Sequence, residues 1–130
     1  MGGLYEPRPV PSPGITAAAG PYEITLDGDP AQGAGGAITF TVRKEGRPVT
    51  DLQPYLAAYG HLVVLRAGDL AYVHVHPDGE PGDGRTAAGP GIGFHLALPG
   101  PGTYRLFLDF KHDGAVRTAD FTVVTPPWTH

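Results

Sequence analysis

The pattern His74-Val75-His76 has the clearest chemical meaning in this chain. In an extended strand, residues i and i+2 point to the same face, so two imidazoles two apart can reach one metal ion. His61 opens the apolar run His61-Leu62-Val63-Val64-Leu65, and Leu70 to His76 returns after the hairpin loop Arg66-Ala67-Gly68-Asp69. A hairpin closed symmetrically about Ala67-Gly68 sets position 61 beside position 74 on one face, whereas a slip of one residue turns His61 away. His95 stands between the core-type residues Phe94 and Leu96. It therefore points away from the core, or into a site at the sheet edge. His61, His74, His76 and His95 are expected to converge on one face and bind a transition metal. Imidazole suits copper, zinc, nickel and iron. The chain has no cysteine and its single methionine is Met1. Blue-copper and Met-rich Cu(I) sites thus lack their sulfur ligands, which makes copper(II) the first expectation and zinc the second.

Asp109 interrupts an apolar strand, and His112 sits in the turn that follows. Asp109 can fix the tautomer of a ligand histidine from behind, with His112 as further support. The competing expectation is a turn-capping aspartate and an exposed histidine. Glu80 opens another alternative. Gly68, His74, His76 and Glu80 match much of the first cupin motif, which would make the domain a metalloenzyme, although Ala87 stands where that motif has glycine and no second motif surrounds His95. Other catalytic sets are absent. Ser12, the single serine, lies in a Pro-rich stretch, and Gly91-x-Gly93 precedes a strand rather than a helix. No residue is assigned a catalytic role, and a binding domain is favoured over an enzyme.

The elements that must position these residues are strands. Tyr22 to Leu26 alternates apolar and polar, and so do Ile38, Phe40 and Val42 against Thr39, Thr41 and Arg43. Further strands are expected over 61–65, 70–76, 93–98, 103–110 and 116–124. Residues 51–59 are the one plausible helical piece, limited to a turn or two by Pro54. Seven short strands at regular spacing point to an antiparallel sandwich. Gly102-Thr103-Tyr104 matches the opening of the penultimate strand in immunoglobulin-like modules, where the tyrosine hydroxyl caps a neighbouring loop; a plain core tyrosine fits equally.

A length of 130 residues predicts one domain with one core. The 20 glycines and 15 prolines cluster between the apolar runs and serve as turn punctuation. Residues 1–20 read as a Pro/Gly-rich linker or arm, 21–125 as the β-domain and 126–130 as a tail. A net charge of −4 argues against nucleic acid as a partner, because phosphate-binding surfaces need an excess of lysine and arginine. No apolar stretch reaches the 18 or so residues of a membrane span. The abrupt opening on Met1-Gly2-Gly3 suggests that an export or anchoring segment lies outside this chain.

The order of motifs over about residues 21–124 resembles the YtkA-like and heavy-metal-associated secreted β-sandwich proteins of bacteria. The shared pattern is a histidine opening one strand (His61), His74-Val75-His76-Pro77 after a hairpin, Phe94-His95 before a Pro/Gly turn, and Gly102-Thr103-Tyr104. The resemblance implies an all-β, seven-stranded antiparallel immunoglobulin-like (cupredoxin-like) β-sandwich. It also implies an extracytoplasmic location, copper trafficking, storage or sensing, and a metal-transport or membrane protein as partner. CopC-like copper carriers use the mature N-terminal histidine as a ligand, and this chain has none there. The alternative to metal binding is an immunoglobulin-like module for adhesion or partner binding.

Overall fold

The computed structural model describes residues 15–28, 36–69 and 71–125. Nine strands form among them: β1 (Ile15–Ala19), β2 (Tyr22–Gly28), β3 (Gly36–Lys44), β4 (Arg47–Pro48), β5 (Gly60–Arg66), β6 (Val75–Pro77), β7 (Gly91–Leu96), β8 (Gly102–His112) and β9 (Ala115–Thr125). All pairings are antiparallel. The larger sheet has the order β1-β2-β3-β7-β6, with β4 on the end of β3, and the smaller has the order β5-β8-β9.

Period-2 alternation decides which way each strand faces. Tyr22, Ile24 and Leu26 of β2, Ile38, Phe40 and Val42 of β3, and Phe94 and Leu96 of β7 are buried. From the smaller sheet, Tyr104, Leu106, Leu108 and Phe110 of β8 and Ala119, Phe121 and Val123 of β9 meet them in one hydrophobic cluster. The result is a β-sandwich-like arrangement of two sheets over one core. Burying each Val-, Leu- or Phe-sized side chain contributes about 1.5–3 kcal/mol. Tyr104 lies in this core and its hydroxyl donates to the Gly100 carbonyl at 2.7 Å, the loop-capping role that Gly102-Thr103-Tyr104 suggests.

Three local expectations differ from the structure. Residues 51–59 form no helix; Gln53 bridges to Lys111 and Tyr55 to Ala58, and the turn between the latter puts Leu56 and Ala57 at φ 53° and 70°. Pro54 has no N–H to give a helix, and the burial of Val49 and Leu52 anchors the segment to the core instead. Strand β1 falls inside the stretch expected to be a linker. Its Thr and Ala side chains are too small to signal burial, and its pairing with β2 holds it in place. The first 14 residues and the tail 126–130 lie outside the described residues.

The third difference governs the histidines. The hairpin after β5 lasts only a few residues: Arg66 N–H donates to the Ala71 carbonyl and Val73 N–H to the Val64 carbonyl, both at 3.0 Å, with Leu65 opposite Tyr72. The chain then crosses to the other sheet, where β6 pairs with β7 while β5 stays on β8. Val73 buries itself at this crossing. An alternating pattern fixes which residues point inward but not which sheet a strand joins.

Candidate functional site: a histidine edge on the larger sheet

Strand β6 is the edge of the larger sheet, and its register sets Val75 opposite Leu96, His76 opposite His95 and Pro77 opposite Phe94. Leu96 and Phe94 are buried, so His76 and His95 share the outer face. Directly opposite side chains have Cβ atoms about 4.5–5.5 Å apart, within reach of one ion at Zn–N or Cu–N bond lengths of about 2 Å. Next to His95 on β3 stands Ala37, which leaves the imidazole uncrowded. His74 precedes β6, and its ring lies 4.4 Å from that of His76, edge-on at 82°. All three histidines are exposed.

His61 does not join them. It is the second residue of β5, opposite Asp109 on the outer face of the smaller sheet, because its neighbour Leu62 pairs inward with Leu108. The thickness of the sandwich separates that face from His95. His61 instead spends Nε2 on the Tyr55 carbonyl at 2.7 Å and sets its ring edge-on to Tyr55. The reason is the sheet crossing: β5 and β6 never become a full hairpin. Asp109 likewise orients no ligand of the histidine edge. Its Oδ1 accepts from the Thr118 hydroxyl across β8 and β9.

His112 is neither an exposed turn residue nor a support for the other histidines. It is the last residue of β8, in phase with Tyr104, Leu106, Leu108 and Phe110, and it is buried. That phase was visible in the sequence as five positions at period two. The Tyr22 hydroxyl meets its Nδ1 at 2.7 Å, and its Nε2 meets Asp51 Oδ1 at 2.7 Å. A neutral imidazole satisfies both bonds when Tyr22 O–H donates to Nδ1 and Nε2–H donates to the carboxylate. Lys44 and Arg117 flank the Tyr22 ring, at 5.6 and 4.9 Å from its centroid.

Asp51, His112 and Asp113 bring one ligating atom each within 4.8 Å of one another, which the three edge histidines do not do as placed. Chemistry nevertheless disfavours a cation among the first three. Both His112 nitrogens are already bonded. Asp113 is held by the Lys44 ammonium at 3.1 Å, a hydrogen bond that lowers the Asp113 pKa and raises that of Lys44. The network reads as a latch tying β2 to β8 across the two sheets. The edge histidines are exposed, and among the described residues their ring nitrogens make no hydrogen bond.

The loop after β6 is organised by Asp83. Its carboxylate accepts from the Thr86 hydroxyl at 2.6 Å, from the Arg85 and Thr86 amides at 2.7 Å each, and from the Glu80 amide at 3.2 Å. These bonds, the Thr86 hydroxyl first, hold its pKa well below the ordinary carboxylate range. Glu80 itself is exposed on this loop and belongs to no three-residue ligand group among the described residues.

Fold and site together describe a two-sheet, all-β domain with a histidine-bearing sheet edge. The chain belongs to the family described as a domain of unknown function, DUF8832, whose model matches residues 16–126. No curated protein matches it. Among solved structures it is similar to the crystal structure of a DUF4426 family protein from Pseudomonas aeruginosa PAO1. The TM-score is 0.55 at 10% identity, covering 88% of this chain and 99% of that one. At that identity the likeness speaks to the fold alone. No helix among the described residues is long and apolar enough to cross a membrane.

Proposed function

We propose that this domain binds a divalent transition-metal ion, copper first and zinc second, through His74, His76 and His95. The observation that carries the reading is the placement of His76 directly opposite His95 on the solvent side of β6 and β7, with the His74 ring 4.4 Å from that of His76. Three neutral imidazoles form a ligand set suited to Cu(II) or Zn(II), and a site with a remaining open position exchanges its ion more readily than a closed four-ligand cage. Exposure on an edge strand suits a role in handing metal to a partner or sensing it, rather than in building the fold. The resemblance to YtkA-like proteins supports the same reading, with an immunoglobulin-like sandwich acting outside the cytoplasm beside a metal-transport protein. The Tyr104–Gly100 bond is in keeping with that fold type.

Calorimetric titration of the metal-free domain with Cu(II) and Zn(II) tests this. One ion per chain is expected in the wild type, with loss of binding in the His74→Ala/His76→Ala double variant. Absence of saturable binding in the wild type overturns it.

A further inference from the structure

Asp78 is an exposed acid next to His76 and His95 at the β6–β7 edge. Asp78 follows β6, and its amide donates to the Gly93 carbonyl at 2.9 Å, extending the β6–β7 ladder by one rung beyond Pro77 and Phe94. Alternation then puts the Asp78 side chain on the same face as His76, two residues before it, and diagonal to His95. The position opposite Asp78 is Gly93, whose missing side chain leaves the space above β7 open. A Cβ built on Gly93 would lie 3.3 Å from both Cβ and Oδ2 of Asp78, so the carboxylate leans over β7 toward the strand that carries His95. Between Gly93 and His95 comes only Phe94, which points inward, so no outward side chain of β7 stands between Asp78 and His95. The other loop acid with a fixed role, Asp83, is spent on Thr86, Arg85 and Glu80.

Resting on the metal reading, we propose that Asp78 supplies a carboxylate oxygen to the ion held by His74, His76 and His95. The site then becomes a mixed nitrogen–oxygen set. A charged oxygen donor offsets part of the charge of a divalent ion and suits Cu(II) or Zn(II), whereas Cu(I) prefers soft ligands. Gly93 serves this site by leaving room for the carboxylate.

The test uses the full chain with Cu(II), followed by calorimetry and by electron paramagnetic resonance of the bound ion. Asp78→Asn is expected to weaken Cu(II) binding roughly tenfold and to shift the parallel g and hyperfine values toward a more nitrogen-rich set. Gly93→Ala, which crowds Asp78, is expected to weaken binding in the same direction while leaving all three histidines in place. If the wild type binds Cu(II) and Asp78→Asn changes neither affinity nor spectrum, the Asp78 assignment is overturned and the histidine site stands. If Glu80→Gln, not Asp78→Asn, lowers affinity and alters the spectrum, the oxygen ligand is Glu80 and the assignment is equally overturned. A wild type that binds no Cu(II) removes the histidine site and the Asp78 proposal together.

Discussion

His76 faces His95 across the middle pair of the β6–β7 register, on the side of the sheet turned to water. His61, the fourth histidine that the motif order points to, lies on the outer face of the opposite sheet, bonded to the Tyr55 carbonyl. A metal that binds only the folded state stabilises it with the logarithm of its free concentration over Kd, and so raises the melting temperature. Cu(II) or Zn(II) is therefore expected to raise the melting temperature, and a chelator to reverse the rise. His95→Ala is expected to abolish most of that rise. His61→Ala is expected to keep it while lowering the metal-free stability by about 1 kcal/mol, the worth of one hydrogen bond. Differential scanning fluorimetry of the two variants with and without metal separates them.

Proton competition sets the pH dependence of the site. Only neutral imidazole ligates, so protons compete with the ion for the same nitrogens. Metal affinity is expected to fall as pH is lowered, with protons released on binding. Titrations at a series of pH values in buffers of different ionisation enthalpy read both effects. An affinity that does not fall on acidification contradicts imidazole ligation.

The Tyr22–His112–Asp51 latch makes a prediction about stability alone. Tyr22→Phe removes the hydroxyl and leaves His112 Nδ1 buried without its partner. The expected cost is about 1–3 kcal/mol in chemical denaturation. Metal affinity is expected to be unchanged, because the latch joins β2 to β8 and lies apart from the β6–β7 edge.

The Asp83 turn responds to acid in a defined direction. Its carboxyl pKa is depressed in the folded loop, chiefly by the Thr86 hydroxyl and then by the Arg85 and Thr86 amides. The stabilisation is therefore complete above the ordinary carboxylate value of about 3.9 and fades only as pH falls from there toward the lower folded value. Protection of the Arg85 and Thr86 amides, followed by nuclear magnetic resonance, is expected to persist at pH 5 and to be lost in stronger acid. Asp83→Asn is expected to weaken that protection at pH 5.

Much of this architecture was legible in the chain. Tyr22, Ile24 and Leu26, and likewise Ile38, Phe40 and Val42, announce inward faces by strict alternation, and the structure buries all six. His95 between Phe94 and Leu96 reads as outward for the same reason. What alternation does not encode is partnership between strands. Leu62, Val63 and Val64 are apolar whether β5 pairs with the chain that follows it or with β8, and Val63 in fact faces solvent. The short bridge at Leu65 and Tyr72 shows how local hairpin chemistry and sheet membership part company. His112 eluded a reading based on its neighbours Asp113 and Gly114, which suggest an exposed turn. Its burial follows from the phase of β8, and its partners Tyr22 and Asp51 lie 90 and 61 residues away in sequence. Contacts of that range have no local signature.

The most direct test of the metal reading is one calorimetric titration of Cu(II) into metal-free wild type and into the His74→Ala/His76→Ala variant, at neutral pH and equal concentration. The expected result is a single-ion isotherm for the wild type and at least about 100-fold weaker binding in the variant, a loss of about 2.7 kcal/mol. Superimposable isotherms, or two flat ones, contradict the account.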